Sequence, residues 1–152
     1  MGPDCQGQFH EVQISSIQVE QTDVPSVNAG QFCSLKLDLS RSAGDLKDVR
    51  KGIVLVDKKL NPRSFSGFEC ELHIIFPYSS RQVTIYYKPL VNIKNTRQCV
   101  EIEESPESIC AGQVAQMRLR FMKRKEYLRV NDQIIVHDTF MTAVGYITAL
   151  LD

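Results

Sequence analysis

The sequence predicts an all-β protein, with a six-stranded closed β-barrel preceded by a partial β-barrel. Three observations predict this. Apolar and polar residues alternate with period two along most of the chain, as they do on half-buried strands. Turn-forming residues fall between the alternating runs, at Asn61-Pro62, Pro77-Tyr78-Ser79-Ser80, Lys88-Pro89 and Ser105-Pro106. Finally, two stretches read as copies of each other. Asn28-Ala29-Gly30-Gln31 opens an alternating run to Leu39, and Cys110-Ala111-Gly112-Gln113 opens another to Phe121. Each is followed by a second shared run, Ile53-Val54-Leu55-Val56-Asp57 and Ile134-Ile135-Val136-His137-Asp138. The Ala-Gly-Gln tripeptides start 82 positions apart and the Ile-anchored runs 81 apart, so the copies stay in register. Such self-similarity marks two related β-units in tandem.

The elements follow in order. A first strand is expected within 9–19. In 33–39, Cys33, Leu35, Leu37 and Leu39 alternate with Ser34, Lys36 and Asp38, and a further apolar strand runs through 53–57. Lys58-Lys59-Leu60-Asn61-Pro62-Arg63 reads as a linker. The next strand, 68–76, places Phe68, Cys70, Leu72, Ile74 and Phe76 on one face and Glu69, Glu71 and His73 on the other. Strands at 81–88, 97–104, 117–121, 133–137 and 144–151 complete a set of six, enough for a small closed barrel. The three or four strands upstream bury little surface alone and leave edges unpaired. No window carries a convincing helical stripe, and Ser42–Val49 supplies at most one helical turn. The predicted division is a partial barrel at 1–57, a linker at 58–62 and a full barrel at 63–152.

Composition narrows the function. Eighteen basic side chains balance eighteen acidic ones, so any polyanion contact rests on a local patch. No apolar run approaches the length of a membrane span, and the first residues lack the pattern of a signal peptide or a myristoylation site. A soluble, cytoplasmic protein is expected. Cys5, Cys33, Cys70, Cys99 and Cys110 have no metal or redox spacing, and Cys33 and Cys70 read as buried thiols acting as small hydrophobes. His10, His73 and His137 lack ligand spacing, so no metal is expected. Glu101, Glu103, Glu104 and Glu107 read as a solvated edge. No nucleophile, base and orienting group stand together, and no catalytic residue is assigned.

Several motifs in fixed order carry a resemblance: Arg50-Lys51-Gly52-Ile53-Val54-Leu55-Val56, the strand start Phe68-Glu69-Cys70-Glu71, Arg97-Gln98, and Glu126-Tyr127-Leu128-Arg129-Val130. With the Arg118–Lys125 stretch between them, they resemble the C-terminal half of elongation-factor-Tu-like translational GTPases. The similar branch is that of GTP-binding proteins 1 and 2, and the resemblance covers nearly the whole chain. It implies that 1–57 is the second half of the domain-two barrel and 63–152 the whole domain-three barrel. It also implies a parent that binds GTP with magnesium, handles aminoacyl-tRNA or a ribosomal task, and docks its barrels on a GTPase domain. This chain shows neither a glycine-rich loop ending in Gly-Lys-Ser/Thr nor an Asn-Lys-x-Asp motif. By itself it is expected to need no cofactor and to neither bind nor hydrolyse GTP.

Two functional classes follow. As an RNA-binding surface, the candidates are Arg118, Arg120, Lys123, Arg124, Lys125 and Arg129, with Lys94 and Arg97 as a second cluster, all neutralising phosphates. The bland alternative is an ordinary charged barrel exterior. As a stand-alone protein-interaction module without nucleotide or RNA binding, the candidates are Phe140 and Met141, then Tyr78, Tyr86 and Tyr87. His137-Asp138-Thr139-Phe140-Met141-Thr142-Ala143 lacks the glycines and positive charges of the family's last turn, which points Phe140 and Met141 to packing against a protein surface or to a stacking platform. A monomer is expected, with an edge-paired dimer as the artefact of a half barrel.

Overall fold

The computed structural model describes residues 1–40, 49–77, 87–106, 109–137 and 141–152. A three-stranded antiparallel sheet comes first, built from β1 (Gln13–Val19), β2 (Thr22–Asp23) and β3 (Ser34–Asp38) in the order β2-β1-β3. A 3-10 turn at Lys58–Leu60 follows, capped by the Asp57 carboxylate, which accepts from the Lys59 N–H. Six further strands close into a barrel: β4 (Gly67–Pro77), β5 (Leu90–Ile93), β6 (Thr96–Glu104), β7 (Val114–Phe121), β8 (Gln133–His137) and β9 (Met141–Leu151). Their order around the barrel is β4-β7-β6-β5-β8-β9, every neighbour antiparallel. The all-β expectation and the six-stranded closure both hold.

Period-two alternation explains the barrel core. Phe68, Cys70, Leu72 and Ile74 of β4 point inward, joined by Met117 and Leu119 of β7, Val100 and Ile102 of β6, and Ile134 and Val136 of β8. Burial pushes the Cys70 thiol up to about 12, so it acts as a small hydrophobe. At Gly145, β9 lies so close to β4 that a Cβ would collide with the Glu71 carbonyl oxygen.

The repeated tetrapeptide is a turn. Gly30 and Gly112 have φ of 92° and 79°, the left-handed third position of a type II turn. In both copies the glutamine N–H donates to the carbonyl three residues back. Its side-chain oxygen accepts from the N–H of that same residue, Gln31 from Asn28 and Gln113 from Cys110. Each turn launches a strand, β3 or β7, that pairs with the preceding β1 or β6.

Several boundaries differ from expectation. The first strand starts at Gln13, because Met1 and His10 instead bond backbone to backbone. The 53–57 run forms no ladder, only an isolated bridge between Val54 and Gly2. Cys33 is exposed, a correction to its expected burial: among the described residues no second layer packs on the three strands, which leaves Phe32 96% exposed and Leu35 and Leu37 half-buried. Most of the expected 81–88 strand and of Ser42–Val49 lies outside the described residues. The barrel strand in that part of the chain is β5, beginning after Pro89, while the Tyr87 and Pro89 carbonyls still accept from Ile102 and Val100.

Candidate nucleic-acid interface

The expected basic residues divide into two groups. Arg118 and Arg120 lie on the outer face of β7, and strand register sets carboxylates on either side of them. Glu69 of β4 pairs opposite Arg118, and β6 brings Glu101, Glu103 and Glu104 alongside. Arg118 donates to Glu69 at 2.7 Å and also to Glu104. Arg120 donates to Glu103 and, at 2.8 Å, to the Ser66 hydroxyl. The Glu69 hydrogen bond, with the nearby glutamates behind it, holds the Arg118 guanidinium above its usual pKa. This face is an ion-pair ladder with its cations already matched.

The second group gathers where β6 begins and β7 ends. Inward-facing Thr96, Gln98, Val100 and Ile102 alternate along β6, so Gln98 is a polar group on a core face and requires partners. Its side-chain oxygen accepts the N–H groups of Lys123 at 2.8 Å and Arg124 at 3.0 Å. Its amide nitrogen donates to Glu126 at 3.0 Å. Glu126, 2% exposed, receives a two-pronged guanidinium from Arg50, at 3.2 and 3.1 Å. Arg124 stands 3.7 Å from the same carboxylate. Desolvation raises the Glu126 pKa above the ordinary carboxyl value, against the opposing pull of Arg50, Arg124 and Gln98.

Arg50 reaches this carboxylate because the chain turns sharply after it. Gly52 has φ of 99°, and a Cβ there would sit 2.7 Å from the Arg50 guanidinium. Arg50 also donates to the Pro3 and Lys51 carbonyls, and Asn95 donates to the Ile53 carbonyl. Ser64 bonds the Gly7 carbonyl, and Phe9 meets Tyr127 edge-on with centroids 5.9 Å apart. The motifs around Arg50, Gln98 and Glu126, far apart in sequence, therefore converge on one junction between the N-terminal residues and the barrel.

Around that junction, Lys94 and Arg129 share the buried Asp132 carboxylate. Arg97, Lys123 and Lys125 are exposed, and among the described residues no carboxylate pairs with them. Sequence reasoning missed the anchoring roles of Arg50, Gln98 and Glu126. The one available signal was a glutamine on the apolar face of β6.

The docking candidates fare differently. Phe140, Tyr78 and Tyr86 lie outside the described residues. Met141 is fully buried, as the first inward residue of β9 ahead of Ala143 and Ile147, so it offers nothing to a surface partner. Tyr87 packs half-buried against the core. His73 is exposed on β4, His10 bonds the Asp4 carboxylate at 2.7 Å, and His137 bonds Thr142. No cluster of His, Cys, Asp and Glu suited to a metal occurs among the described residues, and no helix there is long and apolar enough to cross a membrane.

No family model matches the chain. Among curated proteins it is similar to GTP-binding protein 1 of Xenopus laevis, 31% identical over 153 aligned residues that cover 99% of the chain and 22% of that protein. It is also similar to GTP-binding protein 2 of Mus musculus, 29% identical over 151 residues covering 97% of the chain and 24% of that protein. GTP-binding protein 2 of Homo sapiens gives the same figures. The chain thus spans no more than a quarter of the length of these relatives. The similarity runs through both its sheet and its barrel, so over nearly its whole length the chain is similar to a part of GTP-binding proteins 1 and 2.

Proposed function

We propose that this chain is the β-barrel region of an elongation-factor-like GTP-binding protein of translation, and that it contributes to aminoacyl-tRNA or ribosome contact. In this reading 1–57 and 63–152 are its second and third domains. GTP and magnesium are held, and GTP is hydrolysed, by a GTPase domain of the longer protein on which the barrels dock in the cytoplasm. The observation that carries the RNA part is the placing of Arg97, Lys123 and Lys125 where β6 begins and β7 ends, with no carboxylate partner among the described residues. Cations in that state are free to displace counterions from a phosphate backbone, whereas Arg118 and Arg120 must first leave their glutamates.

The test is a titration of fluorescent aminoacyl-tRNA with this protein across a salt series. Affinity is expected to fall steeply with salt. Changing Arg97, Lys123 and Lys125 together to alanine should flatten the slope by about three, one per lost phosphate contact, while Arg118→Ala should change it little. Salt-independent binding, or an Arg118→Ala effect as large as the triple change, overturns the assignment.

A second reading, a module that binds another protein, is favoured by the N-terminal sheet, where Phe32 and Ile14 are exposed among the described residues. Binding of that kind survives salt and fails on Phe32→Asp.

A further inference from the structure

The basic loop at Lys123–Lys125 is held from beneath. Its Lys123 and Arg124 N–H groups end on the Gln98 side-chain oxygen, and the Gln98 amide nitrogen donates to both the Arg124 carbonyl and Glu126. Glu126 in turn is clamped by Arg50, which lies 76 residues away in sequence. One continuous chain of hydrogen bonds thus runs from the 49–57 segment, through the barrel wall, to the backbone of the loop.

We propose that Gln98 and Glu126 are positioning residues for the basic loop, and that Arg50 couples the loop's pose to the placement of the 49–57 segment on the barrel. Each link is buried or half-buried, so losing a partner has no cheap substitute. Without Arg50, the Glu126 carboxylate keeps, among the described residues, the Gln98 amide and the more distant Arg124 as partners. Gln98 is then drawn toward the carboxylate and away from the two amides it holds. A shift of the N-terminal residues relative to the barrel has the same effect, because Arg50 moves with them. Two sites bias one element, which is the physical content of coupling.

The consequence for phosphate binding rests on the RNA role proposed above; the coupling itself does not. Residue-resolved amide exchange tests it directly. In Arg50→Met, the Lys123 and Arg124 amides should exchange about tenfold faster than in the parent protein, as expected for a local opening. The Leu119 and Ile102 amides should be unchanged. Arg50→Lys, which keeps the charge but loses the fork, should fall between. No change at the two loop amides, or an equal rise throughout the barrel, overturns the coupling. If Arg50→Met does not fold, Arg50→Lys, which keeps a cation beside Glu126, carries the comparison: faster Lys123 and Arg124 amides with Leu119 and Ile102 unchanged support the coupling, and no change at the two loop amides overturns it.

In parallel, Arg50→Met should weaken RNA binding while leaving its salt slope intact, since no phosphate contact is removed. Faster loop amides with unchanged RNA affinity overturn the functional half. Failure of the parent protein to bind RNA at all overturns the RNA role and leaves the amide result to decide the coupling.

Discussion

At the residue scale, two carboxylates set opposing pH dependences. Burial holds the Glu126 carboxyl above its ordinary value, so the folded protein takes up this proton at a higher pH than the unfolded chain. Its contribution is complete below the unfolded chain's pKa and is lost as pH rises through the folded one. For Asp4, burial pulls upward, but the His10 hydrogen bond and the Gln8 and Gln6 N–H groups hold the carboxyl below its ordinary value. Its contribution is present above the unfolded pKa and is lost as pH falls through the folded one. Urea midpoints measured from acid to neutral pH should show this. Glu126→Gln should remove the decline on the rising side, and Asp4→Asn should soften the loss at the acid end. Glu126→Ala, by contrast, strands Arg50 and should cost about 3–5 kcal/mol at neutral pH.

At the element scale, the strands with the longest alternation were the most legible. Phe68 to Phe76 announces β4 within a residue of its observed start, and β8 matches its expected bounds, while β7 begins at Val114, ahead of the expected 117–121. β5 was hidden because Leu90-Val91-Asn92-Ile93 is too short to show a period. Its turn relies on Lys94 in a left-handed conformation, φ 52°, which few sequences advertise. The ladder on β7 was hidden for a different reason. Which glutamate faces Arg118 depends on strand register, and register is a property of pairing rather than of either strand alone. Close packing gives a sharp test here. Gly145→Ala forces a methyl into the Glu71 carbonyl and should cost about 3 kcal/mol or more by overpacking, read as a lowered urea midpoint.

At the scale of the whole molecule, a closed barrel contrasts with a sheet whose described residues stay largely exposed. The barrel buries a continuous core, while the residues of β3 are at best half-buried. Amide exchange should therefore be graded, with β1 and β3 exchanging orders of magnitude faster than β4 and β7. Equal protection in both would mean that the sheet is covered in solution, and a concentration series in sedimentation would show whether a second copy covers it. The same contrast explains what sequence could say about the candidate interface. Positive charges were countable, but whether each had a partner was a question about folded geometry. Arg118 and Arg120 proved matched, whereas Arg97, Lys123 and Lys125 have no carboxylate partner among the described residues.

The twin glycine turns carry a consequence of their own. Gly30 and Gly112 adopt the same left-handed geometry, carry the same glutamine brace, and meet no atom of the described residues near enough to obstruct a side chain. One turn serves the exposed sheet and the other the closed barrel. The molecule therefore contains a matched pair, one local grammar set in two environments. Any difference in what the two positions tolerate reports on the surroundings and owes nothing to the turn.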